Sequence, residues 1–358
     1  MDKSYLMKRL CFALACLLLI GIICYSGFRI LKATVFLDKP EETVEPTRVS
    51  KTIERDGVKY FPKQDIETFL IIGVDKEGEM QKTNYAETNA MADALMVIIF
   101  DKTKEKVDVV SLNRDTMAEI PVLGVDGKDA GTINAQLAVS YAYGDGMEKS
   151  AENTKKAVSK LLYGINIDHY VALNMDAIKI LNDAVGGVTV EVVDDFYLVD
   201  PDITYGYYTL YGDEALTFVR ARKDVGEHLN INRMDRQVEY MMNFYEQLKV
   251  ALHDNAKFAL ETYEDLEPYM VTDCSSTVLA SMLERYEHYD LGDFIVPEGE
   301  NKEGKEYMEF HLDEEKFEQM VLKKFYAKKK LNYPQNKEIQ CEIKSKFEGL
   351  KSHSNLLF

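Results

Sequence analysis

The sequence predicts an α/β fold, in which helices flank a mixed central sheet. Three runs, "TFLIIGV" (68–74), "ALMVIIF" (94–100) and "KVDVVSL" (106–112), have the composition of buried strands. Segments with helical spacing follow these runs along the chain. An apolar content of 46% in 358 residues is sufficient for a substantial core. Alternation of the two element types is typical of a sheet covered by helices.

The order of the remaining elements follows from periodicity and from glycine stops. "DKTKEK" is a turn between the second and third strands. "TINAQLAVSYAYG" and "AENTKKAVSKLLYG" are predicted helices, because they have helical spacing and end at Gly144 and Gly164.

The next segments continue the alternation of strands and helices. "DHYVALN", "AIKILNDAVGG" and "VTVEVV" predict a strand, a helix and a strand. "DEALTFVRAR" predicts a helix or a helix-like turn, and residues 232–252 predict a long helix.

A membrane anchor is predicted near the N-terminus. Residues 10–28 carry no charge and have the length that one transmembrane helix needs, about 20 residues. Lys3, Lys8 and Arg9 precede this run, so the positive-inside rule places residues 1–9 in the cytoplasm and the remainder of the chain outside the cell. A cleaved signal peptide is the alternative, although its apolar region is normally about 7–15 residues long.

The predicted organisation outside the membrane has four parts. Residues 29–61 form an extracellular stalk, because they contain two prolines and little apolar periodicity. Residues 62–255 form the main domain, and residues 256–331 form a C-terminal helical extension that includes the extended "DFIVP". Residues 332–358 form a polar tail.

Charge and cysteine content limit the possible partners. A net charge of −18 argues against nucleic acid, whose binding requires a phosphate-neutralising surface. Three of the five cysteines lie within residues 10–28, and no cysteine spacing typical of a metal site is present. Cys274 and Cys341 could form a disulfide in an oxidising exterior.

Three acidic residues stand where an α/β sheet usually binds its ligand, beyond the carboxyl ends of the strands. Asp75 ends the first strand, Asp93 immediately precedes the second, and Asp115 follows the third in "VVSLNRD". Carboxylates suit Mg²⁺, which uses one or two of them together with water and substrate phosphate. Each aspartate taken alone is more often a turn or cap residue, and it is their joint placement that favours a ligand site.

Arginines complete a candidate phosphate site. Arg114 lies beside Asp115, and Arg220 and Arg222 lie in "FVRARKD", where they share a face only if the backbone is extended. Arg233 and Gln237 are four residues apart and share a helix face. The planar fork of arginine suits phosphate oxygens, whereas surface salt bridges are the alternative for any single arginine.

Several motifs in one order resemble the LytR-CpsA-Psr family of cell-wall proteins. They are "GVD", "MADALMVIIFDKTKEKVDVVSLNRD", "TINAQLAVSYAYG", "GINIDHYVALNMDAIKILNDAVGGVTVEV" and "GDEALTFVRARKD…NINRMDRQ". The resemblance covers about residues 65–250, and the N-terminal anchor fits the same arrangement.

The resemblance implies a membrane-anchored extracellular enzyme that transfers an anionic glycopolymer from a polyprenyl pyrophosphate carrier to peptidoglycan. It implies that Asp75 and Asp93 hold Mg²⁺ and that Asp115 orients its arginine neighbour. It also implies that a hydrophobic groove receives the polyprenyl chain. The residues implied to bind the pyrophosphate are Arg114, Arg220, Arg222 and Arg233, supported by Gln237.

The sequence also departs from the family pattern. The usual arginine shortly after the first aspartate is absent from "DKEGEMQKTNYAETNAMAD". Ala92 and Ala94 replace the usual serine and threonine, and Asn113 replaces a proline. The missing arginine keeps open a non-catalytic wall-binding or regulatory protein. A pyrophosphatase that uses water as acceptor also stays open, because it would use the same residues. None of the proposed roles requires a histidine, and His169 is predicted to be a packed strand residue.

Overall fold

The computed structural model describes residues 52–84, 90–221, 224–225, 258–275, 289–305 and 307–328, with isolated positions between 233 and 251 and between 278 and 286. The predicted transmembrane segment 10–28 and the polar tail 332–358 lie outside the described residues. Among the described helices, none combines the length and the apolar character needed to cross a bilayer.

The described strands are β1 (Ile53–Arg55), β2 (Val58–Pro62), β3 (Ile66–Val74), β4 (Ala92–Asp101), β5 (Lys106–Leu112), β6 (Met117–Leu123), β7 (Asp129–Gln136), β8 (His169–Leu173), β9 (Val188–Val192), β10 (Gly206–Leu210), β11 (Met270–Thr272), β12 (Asp290–Ile295), β13 (Gly299–Glu303), β14 (Met308–Leu312) and β15 (Tyr326–Lys328). The α-helices with described bounds are α1 (Glu148–Leu161), α2 (Met175–Ala184), α3 (Asp213–Arg220), α4 (Phe258–Leu266) and α5 (Glu314–Phe325).

A six-stranded mixed sheet in the order β11-β8-β3-β4-β5-β12 forms the centre of the fold. β3, β4 and β5 are antiparallel neighbours, β8 is parallel to β3, and β12 is parallel to β5. The predicted mixed α/β class and the three predicted strands are therefore confirmed. β3 and β5 run in the same direction and β4 runs in the opposite one. The carboxyl ends of β3 and β5 and the start of β4 therefore lie at the same end of the sheet.

Both faces of this sheet are covered, which explains why its strands are almost continuously apolar. Phe69 packs in the core that includes α2 and α3, whereas its neighbour Leu70 packs in the core that includes α1 and α5. This alternation follows from the two-residue repeat of a strand. Both residues are fully buried.

The prediction of a helix for "TINAQLAVSYAYG" is wrong. Its first five residues lie in β7, which forms a hairpin with β6, and Leu137–Ser140 form a single turn of 3₁₀ helix. The turn between the two strands contains Gly127, whose φ of 72° is readily adopted by glycine. Cross-strand pairing, including Ile120 with Ile133, therefore outweighs the weak helical spacing.

The later elements follow the prediction more closely. α1, β8, α2, β9 and α3 form where the sequence predicts them. β9 pairs with β10 in a separate two-stranded sheet, so it lies outside the central sheet. The described positions between 233 and 251 are helical, as predicted for residues 232–252.

The predicted boundaries of the main domain differ from the observed packing. β1 and β2, at the end of the predicted stalk, form a small sheet with β15. β11 and β12, from the predicted helical extension, are the two edges of the central sheet. Buried Lys324 on α5 donates to Asp108 on β5 (2.7 Å) and to Asp293 on β12 (2.8 Å). These regions cover sheet edges that would otherwise leave backbone groups unpaired.

Candidate functional site

A cleft of about 540 Å³ lies at the end of the central sheet where β3 and β5 end and β4 begins. Its described lining residues are Asp75, Asp93, Arg114, Val199, Thr217, Arg220 and Ala221. Four of the residues singled out in the sequence, Asp75, Asp93, Arg114 and Arg220, thus share one cleft. They come from four separate elements, because Asp75 follows β3, Asp93 lies in β4, Arg114 follows β5 and Arg220 ends α3.

A bulge in β4 places Asp93 at the cleft. Gly73 pairs with Ala94, but the next residue of β3, Val74, pairs with Ala92, so Asp93 is the extra residue on its strand. Bulges of this kind redirect a side chain near the end of a strand. A side chain on Gly73 would come within 2.9 Å of the Ala94 Cβ, so the small residues at this pair permit the close approach.

Arg114 follows β5 and reaches the same place from the other side. Its guanidinium forms an ion pair with Asp93, and its Nε lies 3.4 Å from Asp115 Oδ1. The Arg114 side chain is 14% exposed. Its backbone carbonyl accepts a hydrogen bond from the Ala138 N–H (2.9 Å), which fixes the loop against the 3₁₀ turn. Arg114 is therefore held between two carboxylates at the cleft.

Asp115 supports this arrangement and is not among the described residues that line the cleft. Its Oδ1 accepts from Gln136 Nε2 (3.0 Å), and its carbonyl accepts from the Phe310 N–H (2.9 Å). Gln136 also donates to the Met308 carbonyl (2.8 Å). The sequence did not indicate Gln136 as a site residue, because its partners lie 21 and 172 residues away in the chain.

Arg220 and Asp75 form a second ion pair in the cleft, in addition to that of Arg114 and Asp93. Arg220 is the last residue of α3, and its Nη2 donates to Asp75 Oδ1 (2.9 Å). Its Nη1 also lies 3.8 Å from Glu77 Oε1. The Arg220 and Asp75 side chains are 47% and 38% exposed, so this pair is more accessible than the pair of Arg114 and Asp93.

Arg236 is a buried arginine that sequence analysis did not select. Its Nε donates to the Phe218 carbonyl (3.0 Å), and its Nη groups bind the Ala221 carbonyl and Asp194. It lies over the ring of Phe196, 5.3 Å from the ring centre, and it is 3% exposed. Burial lowers its pKa, although the bond to Asp194 opposes this shift. Arg236 thereby fixes the end of α3 that carries Arg220.

The remaining predicted phosphate-binding residues have different positions. Gln237 donates to the Val219 carbonyl (3.0 Å), next to Arg220 in the chain, so it also supports the end of α3. Arg233 is half-buried in helical backbone one turn earlier and is not among the described lining residues. Arg222 lies outside the described residues.

The donor chemistry of the cleft fits Mg²⁺. Asp75 and Asp93 are both partly exposed to the cleft, and each has an arginine as its ionic partner. Mg²⁺ uses one or two carboxylates and takes its other ligands from water and phosphate. A phosphate bound beside these arginines would supply further oxygen ligands for the ion.

Comparisons with known proteins identify relatives of this chain. Residues 31–324 match the LytR_cpsA_psr family. The chain is 32% identical over 234 residues to the polyisoprenyl-teichoic acid–peptidoglycan teichoic acid transferase TagU of Halalkalibacterium halodurans, a match that covers 64% of this chain and 69% of that protein. It is 31% identical to the TagU of Bacillus mycoides over 58% of this chain and 62% of that one.

Solved structures share the fold. The crystal structure of protein gbs0355 from Streptococcus agalactiae has a TM-score of 0.58 at 21% identity and covers 73% of this chain and 88% of that one. The structure of TagT bound to LI-WTA has a TM-score of 0.55 at 20% identity and covers 80% of this chain and 97% of that one. Since the family match extends over most of its length, the chain belongs to the LytR-CpsA-Psr family.

Proposed function

We propose that this protein is a phosphotransferase that attaches a glycopolymer from a polyprenyl pyrophosphate carrier to peptidoglycan. The observation that carries the proposal is the convergence of Asp75, Asp93, Arg114 and Arg220 on one cleft. Arg220 and Asp75 are 145 residues apart in sequence, yet their side chains are in contact. The TagU relatives, which are named as transferases between these two classes of polymer, support the same reaction.

Arg114 and Arg220 bind the pyrophosphate from opposite sides of the cleft in this proposal. A guanidinium can bind a carboxylate and a phosphate with different N–H groups, so neither arginine needs to release its aspartate fully. Asp115 and Gln136 keep Arg114 in place, and Arg236 and Gln237 keep the end of α3 in place. Arg222 and Arg233 complete the predicted set of pyrophosphate-binding arginines.

Mg²⁺ held by Asp75 and Asp93 would neutralise charge on the phosphate oxygens. The arginines contribute the same kind of stabilisation from fixed positions, which is the main requirement of phosphoryl transfer.

In the reaction, a hydroxyl group of a peptidoglycan sugar attacks the phosphorus that carries the glycopolymer. A bond forms between this oxygen and the phosphorus, and the bond from that phosphorus to the bridging oxygen breaks. Polyprenyl phosphate leaves with the bonding electrons, and the hydroxyl proton passes to solvent. The products are a phosphodiester between the two polymers and free polyprenyl phosphate.

Asp75→Asn and Asp93→Asn are each expected to lower Mg²⁺-dependent transfer at least about tenfold, because even residues that merely support metal ligands contribute about 10- to 100-fold. The assay follows transfer of a lipid-linked glycopolymer to peptidoglycan fragments over a series of Mg²⁺ concentrations. Asp126→Asn, in the exposed turn between β6 and β7, is the control and should behave as wild type.

Unchanged Mg²⁺ dependence in both cleft variants would remove these aspartates from the metal site. Analysis of the products also separates the alternatives. Glycopolymer phosphate released into solution without any peptidoglycan adduct would identify a pyrophosphatase. Binding of the carrier without any product would identify a non-catalytic wall-binding or regulatory protein.

We propose further that residues 10–28 anchor the protein in the cell membrane with the main domain outside. The uncharged run and the basic residues before it support this orientation. Glu300→Cys, an exposed position on β13, should react with a membrane-impermeant maleimide in intact cells. The unaltered chain, which has its own cysteines, provides the background. Protection of the introduced thiol until the cells are permeabilised would contradict the orientation.

A further inference from the structure

Three potential metal ligands meet at the end of the central sheet opposite the cleft. His169 is the first residue of β8, and Asp273 and Cys274 follow β11, which pairs antiparallel with β8. Asp273 Oδ1 lies 3.8 Å from His169 Nδ1 and 3.8 Å from Cys274 Sγ. The three ligand atoms all lie within 4.8 Å of one another.

We propose that His169, Asp273 and Cys274 form a Zn²⁺ site, a feature outside the proposed transfer chemistry. An imidazole nitrogen, a thiolate sulfur and a carboxylate oxygen are all common ligands of Zn²⁺. Zn²⁺ bonds of about 2.0–2.3 Å at tetrahedral angles place ligand atoms about 3.3–3.6 Å apart. The two separations of 3.8 Å must therefore shorten by about 0.2–0.5 Å, and the separation between His169 and Cys274, which is at most 4.8 Å, by up to about 1.5 Å.

The ligands are already oriented by neighbouring groups. Asp273 Oδ1 accepts from the Tyr170 N–H (2.8 Å), while Asp273 Oδ2 accepts from Lys155 (2.9 Å). The Cys274 N–H donates to Thr272 Oγ1 (3.1 Å), whose hydroxyl donates to the Tyr170 carbonyl (2.6 Å). These bonds fix the backbone of both strands around the three side chains.

The other nitrogen of His169 faces a carboxylate that lies just beyond hydrogen-bond distance. Its Nε2 lies 4.0 Å from Glu67 Oε1, and a carboxylate beside the second ring nitrogen commonly orients a metal-binding histidine. Glu67 is itself paired with Lys102 (3.2 Å) and Arg285 (3.0 Å), which makes it a supporting group.

Access to the site is uneven. The His169 and Asp273 side chains are each 27% exposed, which leaves room for water as a fourth ligand, whereas Cys274 is buried. Binding of Zn²⁺ would displace the thiol proton to solvent and form the sulfur–zinc bond.

The proposed role of this site is structural. His169 pairs with Phe69 on β3, and Asp75 lies six residues further along, so the site and the cleft are separated by about 20 Å. β11 is a three-residue strand at the edge of the sheet, and its described register with β8 has only three residue pairs. A metal bound to residues from both strands would hold this edge in place.

The test uses the purified full chain in detergent after removal of metal, titrated with Zn²⁺ and, separately, with Co²⁺. We expect one Zn²⁺ per chain and a near-ultraviolet thiolate-to-cobalt absorption band. A hundredfold excess of Zn²⁺ over its Kd should raise the melting temperature by roughly 5 °C. Cys274→Ser and His169→Gln should each lose the bound ion or weaken binding at least tenfold.

Two controls separate this site from other ligands of the chain. His311→Gln removes a histidine paired with Glu309 elsewhere and should bind Zn²⁺ as wild type does. Cys341→Ser tests the cysteine near the C-terminus and should also retain the ion. Circular dichroism confirms that each variant is folded, and His169→Gln serves if Cys274→Ser does not fold. Wild-type stoichiometry in both folded ligand variants, or no thiolate band in the native protein, would overturn the proposal.

Discussion

Arg114→Lys is expected to lower the rate of glycopolymer transfer about tenfold or more while the protein remains folded. Arg114 contacts Asp93 and lies near Asp115 at the cleft, so its guanidinium must serve a carboxylate and a phosphate together. Lysine keeps the positive charge but lacks the planar fork that allows this. A hydrogen bond to a charged group contributes about 1.5–3 kcal/mol, and about 1.4 kcal/mol corresponds to a factor of ten in rate.

The measurement pairs the transfer rate with the melting temperature. Arg55→Lys is the matched control, because Arg55 is 48% exposed and pairs with Glu318 away from the cleft. Lysine variants of Arg220, Arg222 and Arg233 test the other arginines predicted to bind the pyrophosphate. Wild-type transfer in all four variants would contradict the phosphate-binding role, and wild-type transfer in one would remove only that residue.

Arg236→Ala is expected to cause the largest loss of stability, about 3–5 kcal/mol, the usual cost of removing one partner from a buried ion pair. The change would remove an ionic partner of Asp194, whose side chain is 11% exposed, and it would remove the donors to the carbonyls of Phe218 and Ala221. Packing of the guanidinium over Phe196 would be lost as well.

Chemical denaturation with urea measures this effect as a change in the free energy of unfolding. Arg55→Ala is the control, because an exposed ion pair contributes only about 0–1 kcal/mol. Asp194→Asn, alone and combined with Arg236→Ala, completes a double-mutant cycle that isolates the contribution of this pair. If Arg236→Ala lowers the free energy of unfolding by less than about 1 kcal/mol, the effect is no larger than that of an exposed ion pair. That result would show that the buried network does not support α3.

The central strands could be predicted from sequence because burial on both faces leaves a plain signal. The runs at 68–74, 94–100 and 106–112 each contain mainly apolar residues, and each forms a strand. The strand at 129–136 could not be predicted in the same way. Six of its eight residues are exposed, so its place depends on pairing with β6 rather than on burial.

Some of the site residues could be predicted from the sequence and others could not, and the difference again depends on whether a local sequence pattern marks them. Asp75, Asp93 and Arg114 stand beside apolar strands, so the general rule about strand ends was enough to select them. Arg236 and Gln136 act through backbone carbonyls and a carboxylate from distant segments. The proposed zinc ligands His169 and Asp273 are 104 residues apart, and the pairing of β8 with β11 brings them together. Contacts of this kind carry no local sequence pattern.

The pairing of β2 with β15 makes the described part of the chain almost a closed ring. Phe61 lies opposite Ala327, so the first and last described strands belong to one small sheet. The strand pairing depends on the order of the elements around this ring, and the same order is kept wherever the ring is opened between two elements. The exposed turn at Gly127, where the neighbouring Val125 is 82% exposed, is a place at which a cut would cross no strand of the central sheet. A circularly permuted chain that begins there and joins residue 328 to residue 52 would retain every strand pair that brings Asp75, Asp93 and Arg114 together.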